Sequence, residues 1–324
     1  MPHHSTAVSR WRRGAIGDLI AGVMILTAGC SADDAPAPAA PVVVYAAYKD
    51  VSYLRGLFAD YSRESGAMVI LRSGAAGDIV DDLIANAIDP PADLLLTPTV
   101  NGVYRAAGEG ALRPLMLPAL AARVPQRLRD PEGYWLPLSF RRVAIVFNPA
   151  AVTTGTASDY ESLAGAPFHG SLCLSSAALP VNRSVIAALI AQKGVRGAEL
   201  VVRGWVANLA RPVFTDEASL LAAIASGECG LGVVSGELAA NLPTVVPDPP
   251  VVDIEGLGIA RHARNPSGAA QLIEWLLSDT VQAKYAADNG VAAATGSVRG
   301  SGNVGLAAWY DEDAARLAQR ARFR

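Results

Sequence analysis

Cysteine is the residue type with the most readable chemistry in this chain, and there are three of them. Cys30 follows Leu26-Thr27-Ala28-Gly29, behind Arg10, Arg12 and Arg13 and an apolar stretch over residues 19–28. A basic start, a short apolar run and small residues before a cut describe a secretory signal. A cysteine immediately after such a cut is the position whose thiol is diacylated in bacterial lipoproteins. The reading is therefore a signal peptide over 1–29, lipidation at Cys30 and a Pro/Ala-rich tether over 30–41; a plainly cleaved, soluble secreted chain is the alternative. The apolar run is roughly half of the ~20 residues a bilayer-spanning helix needs. Cys173 and Cys229 then stand in a compartment where disulfides persist. Both lie in short apolar segments that read as neighbouring strands, so a structural bridge is expected, with metal binding by two isolated cysteines as the weaker reading. Catalytic patterns are missing: there is no Gly-x-Ser-x-Gly elbow, no phosphate loop, and no histidine pair outside His3-His4.

The elements that must position any site alternate between strand and helix. Val42-Val43-Val44-Tyr45 opens the folded part as a β-branched run. Helical periodicity follows over 54–64, with Leu54, Leu57, Phe58 and Tyr61 on one face and Gly66 as terminator. Further segments read as a strand over 68–71, a helix over 78–87 begun near Asp78, and a buried strand over 92–97. Strand character returns over 143–147, at Cys173, over 231–235 and from Gly256. Helices are expected over 184–192, 199–209, 218–226, 269–277 and 280–288. Alternation of this kind indicates βαβ units and a mainly parallel sheet in an α/β fold.

Composition narrows the partners. Losing residues 1–29 removes three Arg and one Asp, moving the formal charge from −3 to about −5. An acidic chain argues against nucleic acid, which needs clustered Lys and Arg to release counterions. With 51% hydrophobic and 18% charged residues, a large core can be buried. The expected contact with a membrane is through the lipid anchor only.

Several pieces in a fixed order carry a family resemblance. They are Val42-Val43-Val44-Tyr45, Pro91-Ala92-Asp93-Leu94-Leu95-Leu96-Thr97, and Tyr134-Trp135-Leu136-Pro137-Leu138-Ser139 leading to Val146-Phe147-Asn148-Pro149. Gly170-Ser171-Leu172-Cys173-Leu174, Gly204-Trp205-Val206-Ala207-Asn208-Leu209, Gly227-Glu228-Cys229 and Leu272-Ile273-Glu274-Trp275-Leu276-Leu277-Ser278 complete the set. In these the chain resembles the periplasmic ferric-iron-binding proteins, a branch of the class II solute-binding proteins that feed ABC importers. The resemblance implies a periplasmic-binding-protein-like II fold: two α/β lobes, hinge strands and a central cleft. Lobe 1 is expected from 42–140 plus 252–292, lobe 2 from 141–251 plus 293–324. It also implies an ABC permease and ATPase as partners, a binding rather than an enzymatic role, and a place on the periplasmic or cell-surface side of the membrane.

Ferric ion is a hard acid that prefers anionic oxygen, and the family typically holds it with an adjacent tyrosine pair and a synergistic anion. Here that pair is missing: the positions read Glu237-Leu238, and no tyrosine occurs between Tyr160 and Tyr285. The family comparison leaves Tyr48, Asp78 and Glu237 as candidate metal ligands, with Lys49 an unfavourable neighbour. The anion-binding pieces match better: Ser139, Arg141, Arg142, Ser175, Ser176 and Asn182. Arg141 and Arg142 are adjacent on a strand, so their side chains point opposite ways. The expected ligand is a small anionic solute or metal chelate. Fe(3+) with a synergistic anion on an altered ligand set is the alternative. A lipoprotein that senses or docks without binding solute is the reading from another class.

Overall fold

Two antiparallel strands run through the middle of the protein, and one of them belongs to both of its main cores. A computed structural model describes residues 40–48, 50–86, 89–152, 157–239, 241–296 and 309–324. The signal peptide, Cys30 and nearly all of the tether lie outside these residues, as does Lys49.

The first half reads β1 (Val42–Ala46), α1 (Ser52–Ser65), β2 (Val69–Ser73), α2 (Ala76–Ala85), β3 (Leu94–Thr97), α3 (Val100–Gly108) and α4 (Pro118–Arg123). A twelve-residue strand, β4 (Leu136–Phe147), leads into the second half. There follow β5 (Leu172–Cys173), α5 (Pro180–Asn208), α6 (Glu217–Ser226), β6 (Leu231–Ser235) and β7 (Thr244–Val245). The chain returns through β8 (Val252–Ile259), α7 (Pro266–Leu276), α8 (Asp279–Asn289) and β9 (Ala292–Ala293), and ends in α9 (Asp311–Arg320). The sheet order is β2-β1-β3-β8-β4-β6-β5, with β7 and β9 also paired to β4. Parallel pairing joins β1 to β2 and β3, and β5 to β6; β8 is antiparallel to both β3 and β4.

Strand β4 changes partners at its middle. Residues up to Arg142 pair with β8, and Val143–Phe147 pair with β6. The first core gathers β1, β3, the start of β4, β8 and the helices α1, α7 and α8 around Tyr45, Leu95, Phe140 and Ile254. The second gathers Val143, Ile145 and Phe147 with α5, Val233 of β6 and α9, including Trp205, Leu317 and Phe323. A smaller cluster packs α6 on the opposite face of β6, through Val146, Val234, Leu220 and Ile224. Burial on both faces explains why residues 143–147 are uniformly apolar rather than alternating.

Local signals account for most boundaries. Gly66 and Gly227 adopt the left-handed conformation that ends α1 and α6, and the Asp216 carboxylate accepts the Ser219 N–H at the start of α6. The expected helices over 184–192 and 199–209 are the two arms of α5, separated at Gly194, whose φ of +69° breaks the helical path. Gly232 lets β5 and β6 approach, since a Cβ there would stand 2.7 Å from the Cys173 carbonyl. Strand β8 begins at Val252, four residues before the expected Gly256.

Cys173 and Cys229 form the expected disulfide, with Cα atoms 5.8 Å apart and a separation of 56 positions in sequence. It ties β5 to the turn ahead of β6, within the α6 cluster. Constraining a loop of that length in the unfolded chain stabilises by roughly 4 kcal/mol. Reduction is therefore expected to lower the free energy of urea unfolding by about that amount, measured with and without a thiol reductant. An unchanged midpoint would show that the bridge adds nothing to stability.

Candidate ligand-binding cleft

The antiparallel register of β4 and β8 places Arg141 opposite Asp253 and Ser139 opposite Glu255. Residues two apart on a strand share a face, so these four side chains form one polar patch on the paired central strands. Glu255 is its centre. One carboxylate oxygen accepts from Ser139 Oγ at 2.6 Å and from the Tyr285 hydroxyl at 2.8 Å. The other takes a single 3.3 Å contact from Arg141 Nη2. Glu255 is 5% exposed and Ser139 is fully buried, so the carboxylate relies on these donors in place of water.

Tyr48 completes the patch from the segment after β1. Its hydroxyl is enclosed and makes no hydrogen bond among the described residues. Burial drives the phenol pKa well up, and the Glu255 carboxylate adds to the effect, so the free protein carries a neutral phenol there. Burial likewise pushes Tyr285 upward, reinforced by Glu255. For Arg141, burial disfavours the charge, but Glu255 and Asp253 more than offset it and its pKa is raised.

Asp253 is the unusual member. It is 6% exposed, and no side chain donates a hydrogen bond to it among the described residues. Burial pushes its carboxyl up to about 7, Arg141 pulling the other way and Glu255 and Glu217 adding to the rise. Two carboxylates thus face one guanidinium. Beside Asp253 lies a cavity of about 150 Å³, bounded by Thr99 and Asn101 of α3 and its N-cap, by Arg183 and Ser184 of α5, and by Asp311 of α9. A wider groove of about 810 Å³ adjoins it through Thr99, Asn101 and Asp311. There Tyr104 of α3 meets Trp309, which is 65% exposed, with ring centroids 6.4 Å apart.

The other expected site residues fall into different roles. Arg142 points away from Arg141, as adjacency on a strand requires, and is bound to Glu237 by Nε–Oε1 at 2.8 Å. The Arg142 N–H donates to the second Glu237 oxygen at 3.0 Å, so both carboxylate oxygens are engaged. Asp78 is exposed in the first turn of α2. Neither Asp78 nor Glu237 is among the charges acting most strongly on Tyr48. Asn182 Nδ2 donates to Ser175 O, Ser175 Oγ and Ser176 O at 2.9–3.1 Å, fastening the loop after β5 to the first turn of α5. Its Oδ1 is buried and unpartnered, and Ser176 Oγ accepts the Ala178 N–H at 3.3 Å. Among the described residues no group of three or more His, Cys, Asp or Glu side chains is placed to hold a metal ion.

Sequence reading alone passed over Asp253, Glu255, Tyr285, Asn101 and Asp311. A signal for two of them was present: Val252-Asp253-Ile254-Glu255-Gly256-Leu257 puts two acids at alternate positions of an otherwise apolar run. Buried charges are costly unless a partner or a ligand compensates them, and that pattern on a strand marks a site.

Comparisons with known proteins agree with this architecture. Iron uptake protein A1 of Synechocystis sp. is 29% identical over 252 residues, 72% of this chain and 70% of its own. The Fe(3+)-binding periplasmic protein of Serratia marcescens is 22% identical over 315 residues, 92% of this chain and 90% of its own. Among solved structures, a Trichodesmium protein (IdiA, FutA) in complex with iron and citrate superposes with a TM-score of 0.76 at 24% identity. The match covers 88% of this chain and all of that one. A ferric binding protein from Campylobacter jejuni gives the same TM-score at 19% identity, over 87% of this chain and all of its own. These neighbours establish the two-lobed type II binding-protein fold. Residues 42–290 match the bacterial extracellular solute-binding protein family, and to that family of binding proteins, not enzymes, the chain belongs.

Proposed function

We propose that this chain is the solute-capturing subunit of an ABC importer and that its cargo is iron delivered as a ferric chelate of a small anionic ligand. The observation that carries the reading is the Tyr48 hydroxyl, enclosed, unpartnered and set beside an arginine on the central strands. Ferric ion prefers anionic oxygen donors, and its charge drives off a phenol proton that burial otherwise retains. A neutral, unpartnered phenol is therefore a group waiting for such a cation. Among the described residues no three His, Cys, Asp or Glu side chains are placed together to hold a metal ion, so a bare ferric ion is the less suitable cargo. The remaining oxygens must arrive with the cargo. Arg141 makes only one long contact with Glu255, which leaves guanidinium donors for the anionic part of the chelate. The names of the relatives, which speak of iron uptake and Fe(3+) binding, support the same class of cargo.

In this reading the two large cores are the two lobes, divided as the sequence suggests into 42–140 with 252–292 and 141–251 with 293–324. Cys30 would hold the binder at the outer face of the membrane beside its permease and ATPase. The test is calorimetric titration of the mature protein with ferric citrate, citrate alone and a phosphonate. Ferric citrate is expected to bind at least tenfold tighter than citrate. Tyr48→Phe is expected to lose about tenfold in affinity, about 1.4 kcal/mol, together with the visible phenolate-to-ferric absorption band. No heat with ferric citrate, or an unchanged Kd in Tyr48→Phe, would defeat the proposal. Citrate or phosphonate bound as tightly as the ferric complex would instead favour a metal-free anion, to which the same Arg141 donors are open.

A further inference from the structure

The interlobe space holds a second constellation that iron chemistry does not use. We propose that the small cavity beside Asp253 is a cation subsite of the cleft, taking a protonated primary amine carried by the cargo. The inference rests on the reading of this space as a ligand cleft, and it names a chemical feature the cargo should carry.

The charges around the cavity do not balance. Asp311 is neutralised by Arg183, whose Nε lies 2.9 Å from one carboxylate oxygen and whose Nη2 also reaches the Asp311 carbonyl at 3.0 Å. Arg141 makes its hydrogen bond to Glu255 rather than to Asp253. Asp253 is left as the surplus acid, more than nine-tenths buried and lining the cavity, with the Ile254 N–H as a donor but no side-chain donor. Asn101 lines the same cavity, and its Oδ1 is enclosed and unpartnered. The Thr99 and Ser184 side chains also line it. The Asn101 oxygen is a buried acceptor without a donor, at a cost of about 1–3 kcal/mol, and it shares one small space with the Asp253 carboxylate; together they mark a place for a cationic, donor-bearing ligand.

The shape of the shortfall selects the ligand. An alkylammonium group brings one positive charge and three N–H donors. Those match one carboxylate, one amide oxygen and one hydroxyl. A neutral hydroxyl would leave the Asp253 charge uncompensated, and an anion would meet it head-on. A divalent metal would want more carboxylates than this cavity offers, and no three-acid cluster is placed to hold one among the described residues. At about 150 Å³ the cavity accommodates an ammonium head with one or two carbons. Its walls come from α3 of the first core and from α5 and α9 of the second, so filling it draws the two cores together.

Ethylammonium chloride is the probe, titrated calorimetrically into the mature protein at constant ionic strength beside tetramethylammonium and calcium chlorides. Ethylammonium is expected to bind in the millimolar range, and tetramethylammonium, which has the charge but no N–H, at least tenfold more weakly. Asp253→Asn is expected to weaken ethylammonium at least tenfold and Asn101→Ala about threefold, with thermal melting used to verify folding of each. Should Asp253→Asn not fold, the Asn101→Ala and tetramethylammonium comparisons still decide. Equal binding of the two ammonium ions, amine binding that survives both substitutions, or calcium displacing the amine would overturn the proposal. Ferric citrate titrated into the unmodified protein separates the two readings. Chelate binding without amine binding removes the amine subsite alone, and amine binding without chelate binding removes the iron assignment and leaves the subsite.

Discussion

Replacing Glu255 by alanine is expected to destabilise the protein by about 2–4 kcal/mol, because one change takes the acceptor from two buried hydroxyls and one of two carboxylates from Arg141. Ser139 Oγ and the Tyr285 hydroxyl lose their acceptor, and the Arg141 guanidinium, 23% exposed, loses its ion pair. Arg141 keeps Asp253 across the ladder, so the two hydroxyls left without an acceptor are the larger loss. Glu255→Gln separates the parts. It keeps an oxygen for the two hydroxyls but gives up the charge, so it should cost distinctly less than alanine. Urea unfolding of the three proteins measures the difference. An alanine variant within 1 kcal/mol of the parent would mean that Arg141 finds water and that the patch contributes little to holding β4 against β8.

Asp253→Asn should act in the opposite direction, and only at the right pH. The carboxyl titrates at about 7 in the folded protein against an ordinary 3.8, so the folded state holds its proton more tightly than the unfolded chain. As pH rises from about 4 the unfolded chain releases that proton first, and stability from this group falls until the folded carboxyl also ionises near 7. Above that point the full burial penalty is present, of the order of 4 kcal/mol from about three pH units. The amide carries no such penalty. The variant should therefore match the parent at pH 4 and exceed it by up to about 4 kcal/mol at pH 8, read from unfolding curves at both values. A constant difference across that range would place the ionisation elsewhere. A ligand cation seated against Asp253 would reduce the same penalty, so the amine probe should stabilise the parent more at pH 8 than at pH 5.

Much of the frame was legible in the sequence because it is written in short-range patterns. The apolar face of α1, the glycine stops at Gly66 and Gly227, and the β-branched runs at 42–45 and 231–235 each declare an element within a dozen residues. What escaped has two causes. Helices α3 and α9 carry their apolar residues sparsely, through Val100, Val103 and Ala106 and through Ala314, Leu317 and Ala318, so alanine does work that a larger side chain would have advertised. The site escaped because its partners are remote: Ser139 and Glu255 meet across 116 residues, and Arg183 and Asp311 across 128. A candidate such as Glu237 is readable as a carboxylate, but that Arg142 occupies both its oxygens is a fact of register between β4 and the turn after β6.

The change of partner at Arg142 and Val143 in β4 has a mechanical consequence. A strand shared by both cores acts as a fulcrum for any rocking of one against the other. Ser139, Arg141 and Asp253 sit within a few residues of that point, or directly across the ladder from it, so rocking displaces them least. Asn101 and Asp311, and still more Tyr104 and Trp309, stand on the arms of the lever and sweep the larger arc. In the proposed binding role, the protein would keep a fixed anvil for recognition at its pivot and reserve travel for the jaws. Closure would then report a bound ligand without re-aiming the groups proposed to recognise it.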